Sequence, residues 1–135
     1  MSHAFERRLL QFAVALIGAF PVIAGFTGLV GGLGILGDAD SRYRFLSGLQ
    51  LGVGAAFWAT IPRIEDKADL FRILTVIVLV GGLARLGAAF AEPPSNAVLY
   101  AIAMEVVITP LVCLWRERIE RMDERVPPGY RGPWE

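Results

Sequence analysis

The chain has too few reactive and metal-binding side chains for the usual kinds of catalytic centre. Its single cysteine, Cys113, cannot form a disulfide within the chain. Its single histidine, His3, cannot supply the several converging ligands of a metal site. Because that histidine is also remote from the rest of the chain, no Ser-His-Asp or Cys-His combination for nucleophilic catalysis is present. The sequence therefore predicts no metal and no cofactor, and it favours a protein that is not an enzyme.

Charge is also scarce and unevenly distributed. The 13 basic and 13 acidic residues give a formal charge of zero, so the chain lacks the basic surface of a nucleic-acid-binding protein. Only 19% of the residues are charged and 55% are hydrophobic, whereas soluble domains have about 25% and about 45–50%. The charges cluster, and the uncharged runs between them are too long for ordinary core helices. The composition indicates one integral membrane domain whose surroundings are the lipid bilayer.

Four apolar runs have the length of membrane-spanning helices, which need about 17–25 mainly apolar residues. Because backbone polar groups in lipid must be hydrogen-bonded internally, continuous runs of this length predict helices. The first run carries no charge from Leu9 to Gly37, which exceeds the apolar region of a signal peptide. We therefore expect it to be retained, and either to tilt or to finish in a glycine-rich turn at residues 31–34. The four predicted spans cover about residues 9–36, 45–61, 73–91 and 97–115.

The connections between the runs are short and contain glycine or proline. Short connections force neighbouring helices to run antiparallel. From Arg116 to Arg125 the chain is strongly charged, with pairs spaced i,i+4 that continue the fourth helix into water. We predict an all-α, polytopic membrane protein, an antiparallel four-transmembrane-helix bundle over residues 1–126. Residues 127–135 are predicted to form an irregular tail.

The placement of basic residues predicts an orientation. Most of them lie at the N-terminus, in the middle connection or near the C-terminus, which share one side of a four-span protein. The opposite side has only Arg42 and Arg44. The positive-inside rule then predicts a multi-pass protein of the bacterial inner membrane with both termini in the cytoplasm.

Two opposite charges, Arg85 and Glu105, interrupt the third and fourth runs. A charge in mid-membrane costs at least about 2.5–3.5 kcal/mol, so such side chains usually face protein or water. At 1.5 Å per residue, Arg85 lies about 9 Å from Ala91, and Glu105 lies about 12 Å from Ala97. Because these depths nearly match and a short connection joins the two helices, we predict an intramembrane ion pair in the outer half of the bundle.

Other polar side chains are expected in the same layer. Gln50 lies about 7.5 Å from Phe45 along the second run, and Ser47 lies one turn away on the same face. Pro110 removes the helical partner of the Val106 carbonyl, one turn from Glu105. Two interpretations remain open: the ion pair alone fixes helix register, or these residues together line an outward-facing polar pocket. The candidate residues for the polar pocket or ion pair are Arg44, Ser47, Gln50, Arg85, Glu105 and Thr109.

Gly48 and Gly52 have the small-xxx-small spacing that is common where membrane helices approach closely. We expect these glycines to pack against a neighbouring helix of the same chain. Pairing between two copies of the chain is the alternative.

Several short strings in and beside the apolar runs resemble those of one family. They are Tyr-Arg-Phe-Leu-Ser-Gly at 43–48, Ile-Pro-Arg-Ile-Glu at 61–65, Gly-Gly-Leu-Ala-Arg-Leu at 81–86, Glu105, Pro110 and Trp115. With these features the chain resembles a family of small bacterial four-helix membrane proteins known as a domain of unknown function (4345 type), over roughly residues 7–118. A more distant likeness is to the DoxX-like four-helix group, some members of which are tied to quinone or thiol redox chemistry.

Three functions remain open on the sequence alone. The absence of a catalytic set and the small-residue helix faces favour a non-enzymatic membrane component that acts through helix packing or partner binding. Its partner would be another membrane protein or a second copy of the chain. The first alternative is a binder or carrier of a small molecule, lipid or proton in the pocket around Arg85 and Glu105. The second alternative, implied only by resemblance, is a DoxX-like redox-linked membrane protein.

Overall fold

The computed structural model of the chain describes residues 3–34, 37–64 and 66–123. This part of the chain is all-α and contains no strand, and the predicted four-helix fold is confirmed. Helix α4 (Asn96–Ala103) continues through a π-helical segment (Met104–Ile108) into α5 (Thr109–Asp123), so that the two form one rod. Each of the four rods is long and apolar enough to cross a membrane. The helices are α1 (His3–Gly31), α2 (Asp38–Thr60), α3 (Ala68–Ala89), α4 (Asn96–Ala103) and α5 (Thr109–Asp123), with the π segment at Met104–Ile108 and a 3-10 turn at Ile61–Arg63.

Helix α1 ends in the glycine-rich turn that the sequence offered as one of two possibilities. The helix stops at Gly31, and Gly32 and Gly34 follow with φ of 58° and 72°. Only glycine adopts such positive φ readily, so these residues end the helix. The backbone N–H of Leu33 then donates to Asp40 Oδ1 at 2.6 Å, which ties the turn to the start of α2. At the other end of the chain, the predicted irregular tail lies outside the described residues.

Helices α1 and α2 form an antiparallel hairpin held by small residues. Gly25 of α1 lies against the backbone of Ser47 and Leu51, and Gly54 of α2 lies against the backbone of Gly18 and Val22. The helices approach so closely because neither glycine has a side chain, as is typical of membrane helix pairs.

The prediction that Gly48 and Gly52 pack closely against a neighbouring helix is wrong for the described residues. A Cβ added at Gly52 would meet nothing within 4 Å, and one at Gly48 would meet only Leu29 Cδ2 at 3.6 Å. The closely packed glycine of α2 is instead Gly54, which lies on a different face of the helix. Gly48 and Gly52 therefore leave an open groove on the surface of the bundle.

This difference between two glycines of α2 gives a matched prediction. In Gly54→Ala, the new Cβ would lie 2.8 Å from the Gly18 carbonyl oxygen, and backbone cannot easily move aside. We expect the free energy of unfolding in dodecyl maltoside to fall by about 1–3 kcal/mol, the usual cost of overpacking. Gly52→Ala meets open space and should be neutral, or stabilising by up to about 1 kcal/mol through helix propensity. Equal effects of the two substitutions would contradict this packing.

Most of the buried apolar side chains form one cluster toward one end of the bundle. We call the end where α1 begins, where residues 61–67 connect α2 to α3, and where α5 ends, the terminal end. The opposite end, with the connections at 32–37 and 90–95, is the hairpin end. Phe57 and Phe71 meet edge to face near the terminal end, with ring centroids 5.3 Å apart. The core consists of Leu10, Val14, Ile17, Phe57, Ile64, Phe71, Leu74, Val112, Cys113 and Ile119. Outside this cluster, the buried apolar side chains of the described residues are Ala101 and Ile102 of α4.

Candidate functional site

Arg85 of α3 and Glu105 of the π segment lie in contact. The Nε atom of Arg85 is 3.2 Å from Glu105 Oε2, and the two side chains are 40% and 14% exposed. The contact does not have the alignment of a hydrogen bond. Oε2 is buried and accepts no hydrogen bond from any described residue. The carboxylate is thus held beside a positive charge but keeps a lone pair without a donor.

A glycine lets α3 approach the helix that carries Glu105. A Cβ added at Gly82 would lie 2.7 Å from Glu105 Cβ and 2.7 Å from Val106 Cγ2. Gly82 is buried, and Arg85 follows it by three residues, which is almost one turn. The close approach therefore brings the base of the Glu105 side chain against the same face of α3 that carries Arg85.

The rod that carries Glu105 is widened at this position. Residues Met104–Ile108 form a π-helical segment, in which a backbone N–H bonds the carbonyl five residues back. Both the N–H and the Oγ1 of Thr109 donate to the Met104 carbonyl, the latter at 2.8 Å. Pro110 explains the location, because it has no N–H to donate and its ring would collide with the carbonyl four residues back. Such π segments are frequent at functional sites.

A cavity of about 250 Å³ opens beside the Arg85–Glu105 contact. Four of the predicted site residues line it, namely Gln50, Arg85, Glu105 and Thr109. Its remaining walls are apolar or glycine: Ile17, Phe20, Pro21, Leu46, Leu49, Val53, Phe57, Ile77, Val78, Gly81 and Met104. A mostly apolar cavity with a few converging polar groups is the usual form of a small-molecule site.

A second cavity, of about 520 Å³, lies nearer the hairpin end. Ser47 and Tyr43 of α2 line it together with residues of α1 and α4. Gln50 and Arg85 line both cavities, so their side chains mark the boundary between them. Ser47 itself donates to the Tyr43 carbonyl at 2.8 Å. The structure thus brings five of the six predicted residues to two adjoining cavities.

Arg44 is the exception, because it lines neither of these two cavities. Its Nε donates to Asp40 Oδ2 at 2.7 Å, and its Nη1 donates to the Leu29 carbonyl at 2.6 Å. The Arg44 guanidinium therefore joins the start of α2 to the end of α1, across the connection at the hairpin end. This geometry assigns Arg44 to the structure of the turn.

A buried charged residue, Arg116, was not singled out in the sequence. Arg116 of α5 is only 2% exposed, although it begins the strongly charged run. Its Nε donates to the Ile64 carbonyl at 2.8 Å, and its Nη1 lies 3.2 Å from Glu120 Oε2. The sequence signal was present, because Val112, Cys113 and Ile119 stand three or four residues away and give Arg116 an apolar face.

One known protein family matches most of the chain. The model of the family described as "Domain of unknown function (DUF4345)" matches residues 9–116. The matched range contains every residue that lines the 250 Å³ cavity. Searches of curated proteins and of solved structures found no match. The chain therefore belongs to the family known as the domain of unknown function DUF4345.

Proposed function

We propose that the protein binds a small, mostly apolar molecule in the cavity beside Arg85 and Glu105. The observation that carries this proposal is the state of the Glu105 carboxylate. Its Oε2 atom is buried without a hydrogen-bond donor among the described residues, while the side chain lines a cavity. Buried polar atoms are almost always hydrogen-bonded, so a donor supplied by a ligand would complete this site.

The cavity favours ligand binding over a role in helix packing or partner binding alone, which the sequence had favoured. A pair that served only to fix helix register would be expected to close on itself with aligned hydrogen bonds. Here Arg85 and Glu105 meet at a wall that they share with Gln50 and Thr109. The volume, about 250 Å³, is slightly below the range of about 300–1,000 Å³ for drug-sized ligands. It suits a small molecule, or one end of a longer lipid.

The proposal includes the cellular location of the protein and its orientation in the membrane. We place it in the bacterial inner membrane with both termini in the cytoplasm, because basic residues concentrate at the terminal end. The hairpin end then faces the outside. In this orientation the larger cavity lies between the ligand site and the outer surface of the membrane.

Two glycines of α3 provide a direct test. Gly81 lines the cavity, whereas Gly87 does not, and a Cβ added at either would meet nothing within 4 Å. The test uses protein in phosphatidylcholine nanodiscs and octan-1-ol with a diazirine in its chain, which reacts with its surroundings on illumination. Mass spectrometry of peptides then measures labelling at Phe20, Val78 and Met104, which line the cavity.

We expect Gly81→Leu to reduce labelling of these cavity residues by about tenfold, equivalent to about 1.4 kcal/mol of binding. Gly87→Leu should leave it unchanged. Both substitutions replace a helical glycine by leucine, so their effects on helix propensity are matched. If Gly81→Leu and wild type were labelled equally at all three positions, the proposed site would be excluded.

A further inference from the structure

We infer that the ligand of this cavity has an uncharged head group that both donates and accepts hydrogen bonds, such as an alcohol, joined to an apolar body. This inference rests on the proposed function and specifies the class of molecule. It follows from the charge balance of the cavity wall and from the hydrogen-bonding groups that the wall leaves unused.

The charges that line the cavity cancel. Arg85 contributes one positive charge and Glu105 one negative charge, 3.2 Å apart. The other polar lining side chains, Gln50 and Thr109, are neutral, and the rest of the wall is apolar or glycine. A charged ligand would bring an unbalanced charge into this environment, at a cost of several kcal/mol. A neutral head group avoids that cost.

The wall requires a donor from the ligand. An ionised carboxylate can only accept hydrogen bonds, and Glu105 Oε2 receives none from the described residues. An ether or an ester offers no donor and would leave that oxygen unsatisfied. A hydroxyl or amide N–H would satisfy it.

The wall also offers donors to the ligand. The guanidinium of Arg85 has five N–H donors, and the Gln50 amide has two donors and one acceptor. Neither side chain makes a hydrogen bond within residues 3–34, 37–64 and 66–123, and both stand at the boundary of the two cavities. A head group at this boundary could accept from Arg85 or Gln50 while it donates to Glu105. Its apolar body would then lie along the apolar wall.

Three photoreactive probes with the same eight-carbon chain and diazirine separate the head-group classes. They are octan-1-ol, octanoic acid and octylamine, used at pH 7.4, where the acid and the amine are charged. Labelling of the cavity residues Phe20, Val78 and Met104 is divided by labelling of the phosphatidylcholine in the same nanodisc. This ratio corrects for the different partition of the probes into lipid.

In the wild-type protein we expect the alcohol to label the cavity at least about tenfold more than the acid or the amine. The matching octyl methyl ether, which lacks a donor, should label it several-fold less than the alcohol. Acid or amine labelling as strong as that of the alcohol would overturn the neutral head group. Ether labelling as strong as that of the alcohol would overturn the donor.

Single substitutions should change the preferred charge. Glu105→Gln leaves the Arg85 charge unbalanced, so the acid should become the strongest probe. Arg85→Gln leaves the Glu105 charge unbalanced, so the amine should become the strongest. The double variant Arg85→Gln, Glu105→Gln should again prefer the alcohol over both charged probes. Where a single variant fails to fold, the wild-type series and the double variant still decide the inference.

Failure of the inference is distinguishable from failure of the proposed function. If Gly81→Leu abolishes cavity labelling by every probe but the wild type shows no head-group preference, the cavity binds molecules and only the inferred class is wrong. If Gly81→Leu leaves the labelling by every probe unchanged, the cavity is not a binding site. The proposed function and the inferred ligand class then both fail.

Discussion

Replacing Arg85 by alanine is expected to lower the free energy of unfolding by about 3 kcal/mol, more than replacement of Arg85 and Glu105 together. The single substitution leaves the Glu105 carboxylate, whose side chain is 14% exposed, without its counter-charge. Removal of one partner of a buried pair costs about 3–5 kcal/mol, and a lone charge at membrane depth costs at least about 2.5–3.5 kcal/mol. We take the lower part of these ranges because Arg85 itself is 40% exposed.

The opposite single substitution and the double substitution should cost less. In Glu105→Ala the remaining charge is on Arg85, which is the more exposed partner and has a long side chain that can reach toward water. In Arg85→Leu, Glu105→Leu no unbalanced charge remains, and such apolar replacements of ion pairs are often neutral. The expected order of destabilisation is therefore Arg85→Ala, then Glu105→Ala, then the double replacement.

The measurement is a double-mutant cycle on unfolding in dodecyl maltoside. Arg72 and Glu117 supply the control pair, because their atoms Nε and Oε1 are 2.8 Å apart while the side chains are 50% and 22% exposed. An exposed pair contributes about 0–1 kcal/mol, so its coupling should be much smaller. Additive effects of the Arg85 and Glu105 substitutions, or equal coupling in the two cycles, would show that the contact carries no special energy.

The position of this contact could be anticipated because helix geometry is nearly invariant. A fixed rise per residue and a short connection assigned Arg85 and Glu105 similar depths, and in the structure their side chains meet at 3.2 Å. Gln50 and Thr109 were also among the predicted residues of the polar pocket, and both line the cavity. The four-helix fold was predictable for a related reason, since long apolar runs in lipid allow little except helices.

Side-chain direction was harder to anticipate than depth. Arg44 was predicted to belong to the polar pocket or ion pair, but it binds Asp40 and the Leu29 carbonyl instead. The spacing of Asp40 and Arg44, i and i+4, already indicated a contact on one helix face. The acceptor on α1 could not be foreseen, because it depends on how the glycine-rich turn returns the chain.

The cavity itself could not be derived from the sequence. It exists because the packed core lies toward the terminal end and because the π segment widens the fourth rod at Glu105. Pro110 was recognised as a disturbance of that helix, but a proline in a helix can also produce a kink. The choice between these outcomes depends on the approach of Gly82 to Glu105 and Val106, which is a property of the whole bundle.

The second large effect is expected at the other end of the molecule, where Arg116→Met should lower the free energy of unfolding by about 3 kcal/mol. Arg116 is 2% exposed and donates to the Ile64 carbonyl at 2.8 Å. Loss of a hydrogen bond from a charged group costs about 1.5–3 kcal/mol. The substitution also removes the 3.2 Å contact with Glu120. Methionine fills much of the same volume, so the effect measures lost polar contacts more than lost packing.

Arg118→Met is the matched control, because Arg118 is exposed on the same helix and its replacement should change stability by less than about 0.5 kcal/mol. A local measurement separates this role from general destabilisation. Arg116 fixes the connection between α2 and α3 at Ile64, so hydrogen exchange at the nearby Lys67 amide, which donates to the Arg63 carbonyl at 3.2 Å, should accelerate in Arg116→Met and not in Arg118→Met. Arg116→Lys should restore little of the protection, because an ammonium group cannot reproduce the two separated donors of the guanidinium. Unchanged exchange at Lys67 in Arg116→Met would mean that the connection is held by its own packing, with Ile64 as the buried anchor.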